Sequence, residues 1–120
     1  MGLKKLLTKG LSLLLGGIFL TVSSINVASP FAYVTNQGDH TVSVVDLATS
    51  KVDATITVGK APVGVAIDGL TNRAYITNVE SRSVSVLDML KNTVIFEIQL
   101  EKVAPVGIAL NKSGGQLFVA

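Results

Sequence analysis

The sequence contains no cysteine and no tryptophan, a single histidine and three prolines in 120 residues. Without cysteine there is no disulfide framework, no thiolate metal site and no cysteine nucleophile. A lone histidine, His40, leaves haem or zinc ligation short of the partners such sites need. Charge is also scarce, at 15%, and aromatics make up 5%, whereas hydrophobic residues reach 48%. That balance describes a β-rich core plus one very apolar segment and excludes a disordered chain.

The formal net charge of +2 is unevenly placed. Lys4, Lys5 and Lys9 all fall within the first nine residues. From Ser29 onward, seven Lys and Arg face eight Asp and Glu, which leaves that part at about −1 with the two signs interspersed. A nucleic-acid-binding domain shows a basic patch or stripe, and this segment supplies none. Nucleic acid is therefore not an expected partner.

The three lysines open a three-part leader. They precede the apolar run Leu11 to Val22, and a small and polar stretch follows from Ser23 to Ser29. This is the pattern of a cleaved secretory signal peptide, assigned to residues 1–28. The apolar run is short for a spanning helix, which needs roughly 20 residues. An uncleaved N-terminal anchor is the alternative; after leader removal no stable membrane span is expected. Ala28 is the best residue for the −1 position, with Asn26 a poor fit at −3.

Residues 29–120 are dominated by an internal repeat. Ala32-Tyr33-Val34-Thr35-Asn36 returns as Ala74-Tyr75-Ile76-Thr77-Asn78, 42 residues later. Thr41-Val42-Ser43-Val44-Val45-Asp46 returns as Ser83-Val84-Ser85-Val86-Leu87-Asp88 at the same offset. Pro62-Val63-Gly64-Val65-Ala66-Ile67-Asp68 returns as Pro105-Val106-Gly107-Ile108-Ala109-Leu110-Asn111 at an offset of 43, one residue having been inserted after Leu100. Residues 32–58 and 74–100 are identical at 10 of 27 positions. A further copy of the second strand starts at Gln116.

Each repeat divides into four short strands between turn residues: Pro62 to Ile67, Arg73 to Asn78, Ser83 to Asp88 and Thr93 to Leu100. Four antiparallel strands in about 42 residues make one β-propeller blade. The expected fold is therefore all-β, with blades in an incomplete ring. A plain β-sandwich also has short strands and regular turns, but it does not require a sequence repeat. In the fourth strand Val52, Ala54, Ile56 and Val58 alternate with polar residues, and Val94, Phe96, Ile98 and Leu100 repeat the phase. That suits an outer strand with one wetter face. Gly64 and Ala66 share a face of the first strand, as do Gly107 and Ala109, and such small residues suit the crowded inner end of a blade.

The Ala-Tyr-Val-Thr-Asn run, the Val-Ser-Val-(Val/Leu)-Asp strand and the Pro-Val-Gly-(Val/Ile)-Ala strand together resemble the YVTN family of β-propeller repeats. The resemblance covers residues 31–120, and the absence of tryptophan sets the chain apart from WD-repeat propellers. It implies a propeller, often seven-bladed, in secreted, periplasmic or cell-surface proteins of bacteria and archaea. It also implies binding or scaffold roles, with related propellers in lactonase-like enzymes, quinoprotein subunits and haem d1 domains. About two blades are present, so the chain is expected to be an N-terminal piece of one near ~300 residues. The first blade lacks its first strand, which a later part of a complete ring would supply.

No residue is assigned a catalytic, cofactor-binding or metal-binding role. His40 lies in a turn, is replaced by Arg82 in the second repeat, and is expected to be solvated. Tyr33 and Tyr75 share a position that Phe118 also occupies, so packing explains it better than hydroxyl chemistry. Asn36 and Asn78 are expected to bond the following backbone and to accept a left-handed conformation; Asp46 and Asp88 should close the third strand in the same way. Gly114-Gly115 is a turn rather than a phosphate loop, since neither Lys-Ser/Thr nor a helix follows. Asn111-Lys112-Ser113 forms a glycosylation sequon of use only in a glycosylating host. The expected function is a non-catalytic exported scaffold that binds a protein, a surface polymer or a small ligand, with no cofactor. An enzyme or redox subunit of the lactonase, quinoprotein or haem d1 type is the alternative.

Overall fold

The computed structural model describes residues 11–15, 18–22, 30–111, 113 and 115–120. Much of the expected leader, including its three lysines and the Ala28 cleavage position, lies outside the described residues. Its described backbone forms two strands, β1 (Leu11–Leu15) and β2 (Ile18–Val22), paired antiparallel. Among the described residues no helix is long and apolar enough to cross a membrane.

The repeat folds into three antiparallel sheets in chain order. The first contains β3 (Phe31–Asn36), β4 (Thr41–Asp46) and β5 (Lys51–Thr57), with a short 3-10 turn at Gln37–Asp39. The second contains β6 (Pro62–Asp68), β7 (Arg73–Asn78), β8 (Ser83–Asp88) and β9 (Thr93–Gln99). The third pairs β10 (Ile108–Asn111) with β11 (Gln116–Val119). Every strand pairs with its sequence neighbour, so each sheet is an up-and-down meander joined by tight turns. The four-strand division read from the repeat holds, with ends moved by one residue at Asp68 and Gln99. Among the described residues the first sheet has no inner strand equivalent to β6, as expected.

The core lies between the first two sheets. Val42, Val44 and Ile56 on one side meet Ala74, Ile76 and Leu87 on the other, with Tyr33, Ala54, Val58 and Val65 packed at the margin. Register explains this choice of faces. Tyr33 opposes Val44 and Thr35 opposes Val42, so these four residues share the face turned to the second sheet. Ala74 opposes Leu87 and Ile76 opposes Ser85 on the face turned back. The second sheet's other face carries Tyr75 opposite Val86 and Thr77 opposite Val84. That face looks toward the third sheet, which Thr77 reaches by a hydrogen bond.

The outer strands depart from simple alternation. Val44 opposes Ala54 but Val45 opposes Val52, so a bulge skips Asp53. The second repeat does the same 42 residues on: Val86 opposes Phe96, Leu87 opposes Val94, and Ile95 is skipped. A bulge reverses the inside-outside phase. Val52 and Val94 therefore leave the face that Ala54 and Phe96 occupy, and the single apolar face expected from alternation does not run the length of either strand. Most of β9 is exposed on both sides, including Ile95 and Phe96.

Candidate functional site

The polar residues of the repeat converge on the seams between sheets. Thr77 is fully buried. Its Oγ1 accepts the Gly64 N–H at 2.8 Å within its own sheet and donates to the Val106 carbonyl of the next unit at 3.2 Å. Thr35 does the same one repeat earlier, donating to the Val63 carbonyl at 3.1 Å. The threonine of the second strand is thus a clip to the first strand of the following unit. Gly64 is what allows the approach: a Cβ there would sit 2.7 Å from the Val106 carbonyl oxygen and 2.8 Å from Thr77 Oγ1. This gives Gly64 the crowding role read from the sequence, whereas Gly107, its repeat counterpart, is exposed and a Cβ there would meet only Ala120 Cβ at 3.9 Å.

The asparagines work differently from the expectation. Asn36 has φ −106°, outside the left-handed region. Its Nδ2 donates to the hydroxyls of Thr41 (3.0 Å) and Ser43 (2.8 Å) rather than bonding the following backbone. Asn78 repeats the pattern with Ser83 (3.1 Å) and Ser85 (2.8 Å), fully buried. A carboxamide spanning two hydroxyls on the neighbouring strand locks the second strand to the third. Asn78 Oδ1 has no partner among the described residues. Gly59 lies against this amide, where a Cβ would come within 2.6 Å of Asn78 Cγ. The signal for the network was present as Asn-x4-(Thr/Ser)-x-Ser in both repeats, but only the β7–β8 register shows that these side chains share a face.

The left-handed conformation falls instead on the last turn residue before each third strand, His40 (φ 58°) and Arg82 (φ 51°). His40 is not a freely solvated side chain: it is half-buried, and its Nδ1 accepts the Ala61 N–H at 3.1 Å. That bond requires Nδ1 unprotonated and helps hold Ala61, itself left-handed at φ 55°, ahead of the buried Pro62. The strand-closing aspartates bond the following backbone as expected, but neither takes a left-handed φ. Asp46 Oδ1 accepts the N–H groups of Ala48 and Thr49, and Asp88 Oδ1 those of Leu90 and Lys91. Asp68 forms a third such turn with Leu70 and Thr71, and Asn111 a fourth with Ser113.

The electrostatics follow from these bonds. The Thr71 hydroxyl and two backbone N–H groups hold the Asp68 carboxyl below its usual range. Backbone N–H bonds from Lys91 and Leu90, aided by the nearby Arg73 and Lys91 charges, do the same for Asp88. Arg73 approaches Asp88 at 3.5 Å. Burial pushes the Tyr33 phenol up. Phe118, at the same repeat position, is exposed. Gly115 is left-handed at φ 61°, as a turn requires, while Gly114 and Lys112 lie outside the described residues. Among the described residues no three His, Cys, Asp or Glu side chains lie close enough to hold a metal ion.

Comparison with known proteins places this arrangement. No family model matches the chain. Its sequence is 40% identical over 65 residues to the seven-bladed beta-propeller protein Rv1057 of Mycobacterium tuberculosis, a match covering 52% of this chain and 16% of that one. The chain carries β-propeller blades. It is also 54% identical over 39 residues to the PE-PGRS family protein PE_PGRS18 of the same organism, covering 32% of this chain and 8% of that protein. The blades therefore span less than a fifth of either relative. Among solved structures, Kuenenia stuttgartiensis hydrazine synthase superimposes with a TM-score of 0.71 at 33% identity, over 75% of this chain and 25% of that one. Apo AztD from Citrobacter koseri superimposes with a TM-score of 0.59 at 15% identity, over 85% of this chain and 32% of that one, a likeness of fold.

Proposed function

We propose that the chain is an exported, YVTN-type propeller segment that acts as a non-catalytic binding scaffold at the cell surface or in the periplasm. The supporting observation is what the repeated polar residues do. The threonine Oγ1, asparagine Nδ2 and aspartate Oδ1 of the motif each make intrachain hydrogen bonds in both copies of it. A group so engaged in every blade serves the scaffold, and variable turns are left to make contacts. The turns at Leu47, Leu70 and Leu90 each expose a large apolar residue beside an aspartate-closed strand end, on a rigid base suited to holding a partner. Export rests on the order of Lys4, Lys5 and Lys9, the apolar run and the small-residue stretch.

Two measurements test the reading. Alkaline phosphatase, active only after export, is fused after Ala120. Activity should be high with the native leader and fall when Lys4, Lys5 and Lys9 are changed to Glu; activity unaffected by deleting residues 1–28 counts against export. The full chain is then screened by thermal shift against cell-wall polymers, surface-protein extracts, lactones, a quinone cofactor and haem. Stabilisation by a polymer or protein supports the scaffold. Lactone turnover or tight haem or quinone binding supports the enzyme alternative, the reading that similarity to a hydrazine synthase chain would favour.

A further inference from the structure

We infer that His40 is an acid-sensitive latch between the first two blades: its neutral ring ties the connector 58–61 to the first sheet, and protonation of the ring releases that tie. The inference concerns a seam inside the chain and is independent of the binding role proposed above.

The connector joins β5 to β6 and is held from two sides. Toward the second sheet it makes five hydrogen bonds among the described residues. Gly59 and Lys60 donate their N–H groups to Ser85 Oγ (3.3 Å) and Ser81 Oγ (2.6 Å). The Lys60 carbonyl accepts the N–H groups of Glu80 (3.2 Å) and Ser81 (3.4 Å), and the Ala61 carbonyl accepts that of Val79 (3.0 Å). Toward the first sheet it makes two, both to His40. The His40 carbonyl accepts the Val58 N–H at 3.0 Å, and its Nδ1 accepts the Ala61 N–H at 3.1 Å.

Of these bonds, the one to the ring responds to a proton. A neutral imidazole accepts at Nδ1 when its proton sits on Nε2, whereas the imidazolium is a donor at both nitrogens. Protonation therefore turns the acceptor into a second donor facing the Ala61 N–H. Ala61 is 4% exposed, so water is a poor substitute at that N–H. Its φ of 55° is left-handed, a conformation that a non-glycine residue keeps only when its surroundings hold it. The hold is one bond at each end, Nδ1 at the N–H and Val79 at the carbonyl. Loss of the first leaves the connector bound to the second sheet and tied to the first through Val58 alone.

The second repeat has the backbone half of this device without the switch. Arg82 takes the position of His40 with φ 51°, and its carbonyl accepts the Leu100 N–H at 2.8 Å. A guanidinium has no acceptor atom, so no ring-type bond can form there. The charged groups on the elements that meet at His40 are Asp39 on its own turn, Lys60 on the connector, and Glu80 and Arg82 on the turn that bonds the connector. None of them forms an ion pair with the ring: among the described residues the ion pair is that of Arg73 with Asp88.

Hydrogen exchange of the Ala61 amide in the full chain, corrected for its intrinsic pH dependence, reads the latch. Between about pH 8 and about pH 5 an ordinary imidazole takes up its proton. Over that window Ala61 protection should fall by about 5- to 150-fold, the loss for a buried N–H left unpaired. The fall should track the titration of the His40 ring by NMR, and the neutral ring should carry its proton on Nε2. Asp68 and Asp88 titrate below the ordinary carboxylate range, outside this window. The Leu100 amide should show no matching step. His40→Arg installs the second repeat's residue, whose backbone already fits this left-handed turn, and should hold Ala61 at the low level at every pH. The wild-type readings decide the matter even if that variant folds poorly. Unchanged Ala61 protection through the ring's titration, an equal step at Leu100, a step that survives in His40→Arg, or a neutral ring protonated on Nδ1 would overturn the inference.

Discussion

Replacing Thr77 by valine isolates the clip between blades. The two side chains have nearly the same shape, so the change removes a hydroxyl and little packing volume. Thr77 Oγ1 is the acceptor for the Gly64 N–H and the donor to the Val106 carbonyl. Val106 is 55% exposed, so water can serve its carbonyl. Gly64 is half-buried, with Thr77, Val106 and Ile108 crowded against its α-carbon, which limits the room for a water to replace the hydroxyl at its N–H. Leaving it unpaired costs about 1–3 kcal/mol, which is on the order of 5- to 150-fold in the opening equilibrium around it. Hydrogen exchange of the Gly64 amide reads that equilibrium locally. Exchange should accelerate by that factor in Thr77→Val, while Ile76, held in the β7–β8 ladder, keeps most of its protection. Thr77→Ser retains the hydroxyl and should preserve Gly64 protection, despite losing a methyl group worth about 1 kcal/mol of packing. Equal protection of Gly64 in the valine and serine variants would refute the clip.

Gly64→Ala should destabilise the chain by about 1–3 kcal/mol through overpacking, since its Cβ meets backbone oxygen at 2.7 Å; Gly38→Ala, with nothing within 4 Å, is the near-neutral control in urea unfolding. Asn78→Ala strips the Ser83 and Ser85 hydroxyls of their shared donor and should cost about 1–2 kcal/mol, held down because Asn78 Oδ1 is itself unpartnered. Asn78→Asp should be worse, because a carboxylate in that buried position replaces the donor with a charge. Asp68 and Asp88 have folded pKa values below their unfolded ones. Their stabilisation is therefore full above the ordinary carboxylate range and is lost as pH falls through the depressed values. Acid titration of unfolding should show a shallower loss in the Asp68→Asn, Asp88→Asn double variant; an unchanged slope would mean these turns do not contribute.

The sequence by itself determined the blade. Two copies of a 42-residue pattern, with turn residues at fixed offsets, define strand count, strand order and nearly every boundary, because antiparallel meanders contain local pairings that alternation and turn chemistry specify. The aspartate turns were legible for the same reason: an aspartate capping the next two or three N–H groups is a local event. What only the tertiary structure decided involves residues far apart in the chain or a break in periodicity. The bulges at Asp53 and Ile95 reverse the phase of the outer strands, and nothing in the alternating residues announces the skipped position. Asn36 and Asn78 were read as turn residues, yet they bridge hydroxyls across a strand pair, which requires the register of the sheet. His40 was read as solvated, but Ala61 arrives from 21 residues away to use its Nδ1. Thr35 and Thr77 carry the blade-to-blade contact through carbonyls 28 and 29 residues on, a role with no local signature. Local hydrogen bonding and side-chain period act along the chain and can be read from it, whereas blade stacking acts between faces and becomes visible when the sheets are set against one another.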